Sequence, residues 1–105
     1  MKIAIIDDNQ KDREYLTKYI TTYGQTHSFL FSIDAFPSGE LFFKNSFYND
    51  YSIVFVDIYM EGMDGVEIAH RIHSSNKDCL IIFFTSSQDD MWRAIKTHAC
   101  FDYLL

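Results

Sequence analysis

Ile53-Val54-Phe55-Val56-Asp57 decides the fold: four β-branched or aromatic residues run without a polar break and end on a carboxylate. A run that short and that uniformly apolar predicts a strand buried on both faces, since an amphipathic helix of this composition would expose polar residues every third or fourth place. Residues 3–6 repeat the form near the N-terminus and stop on Asp7-Asp8, and residues 80–84 repeat it and stop on Thr85-Ser86-Ser87. Residues 29–36, rich in Phe and Ile, and the closing Phe101-Asp102-Tyr103-Leu104-Leu105 are two further strand candidates.

Helical signals fill the intervals. Tyr15, Leu16, Tyr19, Ile20 and Tyr23 recur at helical spacing, with Lys11, Arg13, Glu14 and Lys18 on the other face, predicting a helix over 9–23 that Gly24 stops. Pro37-Ser38-Gly39 breaks the second strand, and Ser38 caps a short helix through residue 44. Residues 45–52 have no period and read as loop, as do 59–65. Asp64 caps a helix to about residue 74, with Val66, Ile68, Ala69 and Ile72 on its apolar side. Another helix is expected over 89–97. Strands alternating with helices imply one α/β domain, a parallel sheet wound with helices on both faces.

Bulk composition narrows the function. The 105 residues make one domain, and 48% hydrophobic with 23% charged is the balance of a folded globular chain. A formal charge of −6 excludes a nucleic-acid-binding surface on this segment, because phosphate backbones need clustered Lys and Arg. No stretch approaches the ~20 apolar residues of a membrane span, and the N-terminal run is too short for a signal peptide. Cys79 and Cys100 lack metal-ligand spacing and read as reduced thiols of a cytoplasmic protein. His27, His70, His73 and His98 are scattered and read as surface residues, Met60 and Met63 as packing under a loop. Trp92, if exposed on the fourth helix, would mark a partner surface.

Three strands end on polar tips: Asp7-Asp8, Asp57 and Thr85-Ser86-Ser87. Doubly wound sheets place their ligand sites at the carboxyl ends of the strands, at the switch point of strand order. In the five-stranded order 2-1-3-4-5, taken over from that sheet class and not read from these residues, the first and third strands are neighbours. Alone, Asp7-Asp8 reads as a strand end and a helix cap, and Thr85 as a turn residue. Joined to Asp57 the acids need a cation, since two like charges ~4 Å apart repel by about 4 kcal/mol at an effective dielectric near 20. Mg²⁺ suits such a site, because it takes one or two carboxylates, keeps waters, and leaves room for phosphate oxygens. A carboxylate beside it can act as a nucleophile and become an aspartyl phosphate.

The motifs Ile5-Ile6-Asp7-Asp8, Phe55-Val56-Asp57-Ile58-Tyr59-Met60 with Gly62-Met63-Asp64-Gly65, Phe84-Thr85-Ser86-Ser87 and Phe101-Asp102-Tyr103-Leu104-Leu105 resemble, in order and across the whole chain, the receiver domain of response regulators. The last two are most similar to receivers that carry a LytTR-type DNA-binding output domain. The resemblance implies a flavodoxin-like fold and a two-component signalling switch, not an enzyme that turns over a substrate. It makes Asp57 the phosphoacceptor, with Mg²⁺ held by Asp8, Asp57 and the backbone carbonyl of Tyr59, and with Asp7 acting through a metal-bound water. Thr85 matches the hydroxyl that swings to the phosphoryl group, Tyr103 the aromatic that turns inward behind it, and Gly65 the glycine supporting the turn after the loop. The implied partners are a sensor histidine kinase, an output domain for transcription control lying outside this chain, and a second copy joined through helix four and strand five or by exchange of elements.

Two departures stand out. Where the family usually has Pro, four residues after the phosphoacceptor, this chain has Glu61, so φ there is less fixed and a negative charge is added. The family's Lys would follow Leu105, which leads to the expectation that residues 1–105 are a receiver truncated within strand five, with the last helix missing. Two other readings stay open: a phosphorylation-independent pseudo-receiver, and a small aspartyl-nucleophile phosphatase. The second would need a general acid two residues after the nucleophile, where this chain has Tyr59.

Overall fold

The computed structural model describes residues 1–45, 47–58 and 60–84. Four strands, Lys2–Ile6 (β1), Ser32–Phe36 (β2), Ile53–Asp57 (β3) and Leu80–Phe84 (β4), pair in parallel in the order β2-β1-β3-β4. Helices Gln10–Thr26 (α1), Gly39–Lys44 (α2) and Gly65–Ser75 (α3) alternate with them, and a single 3₁₀ turn spans Tyr48–Asp50. This is the flavodoxin-like order expected. The fifth strand, the fourth helix, Trp92, His98 and Cys100 lie outside the described residues.

Each strand divides its side chains between two cores with a period of two. Ala4, Ile6, Val54, Val56, Ile81 and Phe83 meet Phe42, Ile68, Ala69 and Ile72 on one face of the sheet. Ile3, Ile5, Ile53, Phe55 and Phe84 meet Leu16 and Ile20 of α1 on the other. The chain order explains the division. From β1 it steps one way to β2, then back past β1 to β3, and right-handed crossovers then put α1 on one face and α2 and α3 on the opposite one. Reversal of direction between β1 and β3 opens the crevice at their tips.

Capping follows the sequence at Ser38 and Asp64, and Asn9, expected as the first helical residue, caps α1 instead. Asn9, Ser38 and Asp64 each accept the N–H three residues on, from Asp12, Leu41 and Glu67, at 3.1, 3.1 and 2.9 Å. Three boundaries differ from expectation. Helix α1 runs through Gly24 to Thr26, and Ser28, with φ 61°, turns the chain instead. Gly24 is buried because Phe31 lies against it: a Cβ there would sit 2.8 Å from Phe31 Cδ2. Correspondingly, β2 begins at Ser32 rather than 29, since Phe29 folds back to donate its N–H to the Gly24 carbonyl at 2.8 Å. The stretch 45–52 contains the 3₁₀ turn, fastened by Asn76 Nδ2, which donates to the Asn49 and Tyr51 carbonyls at 2.9 and 3.2 Å.

Below the sheet's far end, Tyr51 is buried and its hydroxyl donates to Asp34 Oδ2 at 2.8 Å while accepting from Asn45 Nδ2 at 3.1 Å. Cys79 is a buried free thiol pushed up to about 11 by burial, which makes it unreactive at neutral pH. His27 and His70 are exposed as expected, His73 half-buried. Met60 and Met63 pack against the larger core from the loop above it.

Candidate functional site

The tips of β1 and β3 hold the acids. The register pairs Ile6 with Val56, so the next residues along, Asp7 and Asp57, come side by side. Asp7, Asp8 and Asp57 each offer a carboxylate oxygen, and these oxygens all lie within 4.8 Å of one another. Asp7 and Asp57 are buried; Asp8 is exposed and opens the cluster to solvent.

Neighbouring strands hold both tips. The Asp7 N–H donates to the Phe36 carbonyl at 3.1 Å, and the Ile58 N–H to the Phe84 carbonyl at 2.8 Å. Asp7 is fastened further: its Oδ1 accepts the Asn9 N–H at 3.0 Å, and its carbonyl accepts from Arg13 Nη1 at 2.7 Å. Burial raises the Asp7 carboxyl most, the Asn9 N–H pulls it down, and the charge of Asp57 raises it again, leaving it at about 7. Its Oδ2 is buried and meets no hydrogen-bond donor among the described residues. A carboxylate oxygen buried beside two other acids, with no donor, fits a hard oxygen-seeking cation such as Mg²⁺.

The loop to α3 leaves the site and returns against it. Gly65 packs on the Asp57 backbone, where a Cβ would come within 2.6 Å of the Asp57 carbonyl oxygen. Asp8, Ile58, Met60, Glu61, Asp64 and Val66 line an open groove beside the acids. Of the residues expected from sequence, Asp7, Asp8, Asp57 and Gly65 are brought together here. Tyr59, Thr85 and Tyr103 lie outside the described residues. Sequence reasoning missed Asn9 and Arg13 as supports of Asp7, and no pattern of residues marks either as more than a cap and a helix-surface cation.

The family description "Response regulator receiver domain" matches residues 3–105. This chain belongs to the response regulator receiver family. The receiver is 32% identical over 107 residues to the transcriptional regulatory protein HprR of Escherichia coli, covering 100% of this chain and 44% of HprR. It is 37% identical over 62 residues to the sensory transduction protein LytT of Oceanobacillus iheyensis, covering 55% of this chain and 25% of LytT. The receiver thus spans less than half the length of these curated relatives. In structure it resembles TrrA of Thermotoga maritima in complex with Mg²⁺-BeF, with TM-score 0.69 and 32% identity over 84% of this chain and 71% of that one. TrrA in complex with the histidine kinase ThkA matches at TM-score 0.67 and 26% identity, covering 91% and 96%. A receiver of two-component response regulators is therefore the role of this fold, as the resemblance of its motifs implied. Among the described residues no helix is long and apolar enough to cross a membrane.

Proposed function

We propose that this receiver accepts a phosphoryl group on Asp57 from a histidine kinase, with Mg²⁺ as cofactor, and thereby switches an output surface in transcription control. The observation that carries the reading is the convergence of Asp7, Asp8 and Asp57 within 4.8 Å, with Asp57 at the buried end of β3. A carboxylate oxygen of Asp57 attacks phosphorus, forming a P–O bond as the donor's P–N bond breaks. Asp8, Asp57 and the backbone carbonyl of Tyr59 would hold the ion, with Asp7 acting through a metal-bound water. When bound, Mg²⁺ supplies the positive charge that neutralises the acids and the incoming phosphoryl oxygens.

The protein's own groups do the rest. Asn9 and Arg13 fix Asp7, and Gly65 lets α3 lie against the Asp57 backbone. Thr85 reads the phosphoryl group and Tyr103 follows it inward, changing a surface that an output domain or a second copy recognises through helix four and strand five. With Tyr59 where a general acid would stand, hydrolysis is slow and the module is a switch rather than a phosphatase. The relatives' names, a transcriptional regulatory protein and a sensory transduction protein, support a signalling role in transcription control; the regulator acts in the cytoplasm through a DNA-binding output domain.

Incubation with acetyl phosphate and Mg²⁺, read by intact mass, tests the assignment. Wild type should gain one phosphoryl group, Asp57→Asn none, and a chelator should abolish the gain. Labelling of Asp57→Asn at the wild-type rate would overturn it.

A further inference from the structure

The loop that follows Asp57 is held from a helix that carries none of the acids. Glu40, the second residue of α2, accepts the backbone N–H of Met63 on its Oε1 at 3.1 Å. The Glu40 N–H, the Met63 N–H and the Ser38 side chain all favour the ionised carboxylate, in that order, and hold it below the usual glutamate range. Directly before Met63, Gly62 turns with φ +81°, and a Cβ there would lie 3.2 Å from the same Oε1. The carboxylate that bonds Met63 thus also closes the space a side chain at position 62 would need.

The Met63 side chain is held as well. Its sulfur accepts from Arg71 Nη1 at 3.6 Å and would lie 3.2 Å from a Cβ at Gly39, while the Arg71 guanidinium covers the Phe43 ring at 4.5 Å. Around it, the carboxylates Asp8, Glu61 and Asp64 line one groove, and Glu61 does not preset φ as the family's usual Pro would. The loop needs a tie, and Glu40 is placed to be it.

We infer that Glu40 is a positioning residue for the phosphoacceptor site: by fixing Met63 it sets the loop whose backbone the Mg²⁺ ion draws on. This rests on the function proposed above. Glu40 acts through the Met63 amide rather than by touching the reacting groups, so its loss should weaken metal binding more than it slows the metal-saturated reaction.

The test compares the full chain as wild type, Glu40→Ala and Glu40→Gln. Hydrogen exchange of the Met63 amide in metal-free protein reads the tie itself. Calorimetric titration with Mg²⁺ reads the metal site, and acetyl phosphate labelling across Mg²⁺ concentrations reads the reaction. Glu40→Ala should lose Met63 protection and weaken Mg²⁺ about tenfold, the low end for groups that orient metal ligands. Its labelling rate should recover at saturating Mg²⁺. Glu40→Gln keeps an acceptor oxygen and should stay closer to wild type in all three readouts; it carries the test alone if Glu40→Ala does not fold, partial loss of protection with unchanged Mg²⁺ affinity then overturning the inference. Reduced stability of Glu40→Ala with wild-type Mg²⁺ affinity would show a helix-end role only and overturn it too. Wild type that binds Mg²⁺ but takes no label at Asp57 overturns the proposed function, and the exchange and titration still decide the role of Glu40. Wild type that binds no Mg²⁺ overturns both.

Discussion

The backbone carbonyl of Asp57 occupies the space that any side chain at position 65 would need, since a Cβ on Gly65 would approach it to 2.6 Å. Val56 Cγ1 and Ile58 Cα close the same space at 3.1 and 3.2 Å. The start of α3 and the end of β3 are therefore in direct backbone contact, and whatever shifts one shifts the acid on the other.

Gly65→Ala should consequently perturb both stability and the site. Backbone atoms surround the added methyl, so relief requires moving α3 or β3, an overpacking cost of about 1–3 kcal/mol. Urea unfolding should show that loss, and Mg²⁺ affinity should fall in the folded fraction. A Gly65→Ala protein with wild-type stability and Mg²⁺ affinity would mean that the contact is not a constraint.

Asp7→Asn should separate stability from function. The amide keeps an oxygen to accept the Asn9 N–H and removes a carboxylate that burial and Asp57 both disfavour. Without metal the variant should be more stable than wild type, by about 1 kcal/mol, as expected when a functional site holds unfavourable charge. With Mg²⁺ the order should reverse, because wild type gains stability from the bound ion by mass action. Urea midpoints measured with and without Mg²⁺ check both halves.

Most of this architecture was legible because the sequence states it locally. The unbroken runs ending on Asp7 and Asp57 dictate buried parallel strands, and Ser38 and Asp64 announce the starts of two helices. What failed was local reading of a long-range contact. Gly24 looks like a helix stop, yet its lack of a side chain serves Phe31, which approaches from beyond the turn. Glu40 and Arg13 look like surface charges, and only the fold brings them to Met63 and to the Asp7 carbonyl. The convergence of Asp7, Asp8 and Asp57 could be read ahead because acids that end neighbouring parallel strands meet at one sheet edge, whereas hydrogen-bond supports can be drawn from many residue types.

Tyr51 should tie stability to alkaline pH. Burial first, then the Asp34 carboxylate accepting its hydrogen bond, push the phenol from its ordinary value near 10 up to about 12. The folded protein therefore holds this proton more tightly than the unfolded chain. Its contribution is complete below pH 10, declines as pH rises from about 10 to about 12, and amounts to roughly 2 kcal/mol. Tyr51→Phe should flatten that part of the pH profile and lose about 1 kcal/mol at neutral pH with the hydrogen bond. An unchanged alkaline slope in Tyr51→Phe would assign the loss to other groups.

Gly24→Ala poses opposing effects whose sizes decide the outcome. Alanine in place of glycine within α1 favours the helix by about 1 kcal/mol. Against it, the new methyl would stand 2.8 Å from Phe31 Cδ2 and 3.1 Å from the Phe29 carbonyl oxygen. The ring can rotate, but the Phe29 backbone is fixed by its 2.8 Å hydrogen bond to the Gly24 carbonyl, so the turn itself must shift. Overpacking of about 1–3 kcal/mol outweighs the helix preference, and the variant should be destabilised by about 1 kcal/mol. Because α1 meets the acids only at its other end, Mg²⁺ affinity should stay at the wild-type value. Stabilisation of Gly24→Ala in urea would show that Phe31 yields freely and that the glycine is there for the helix terminus after all.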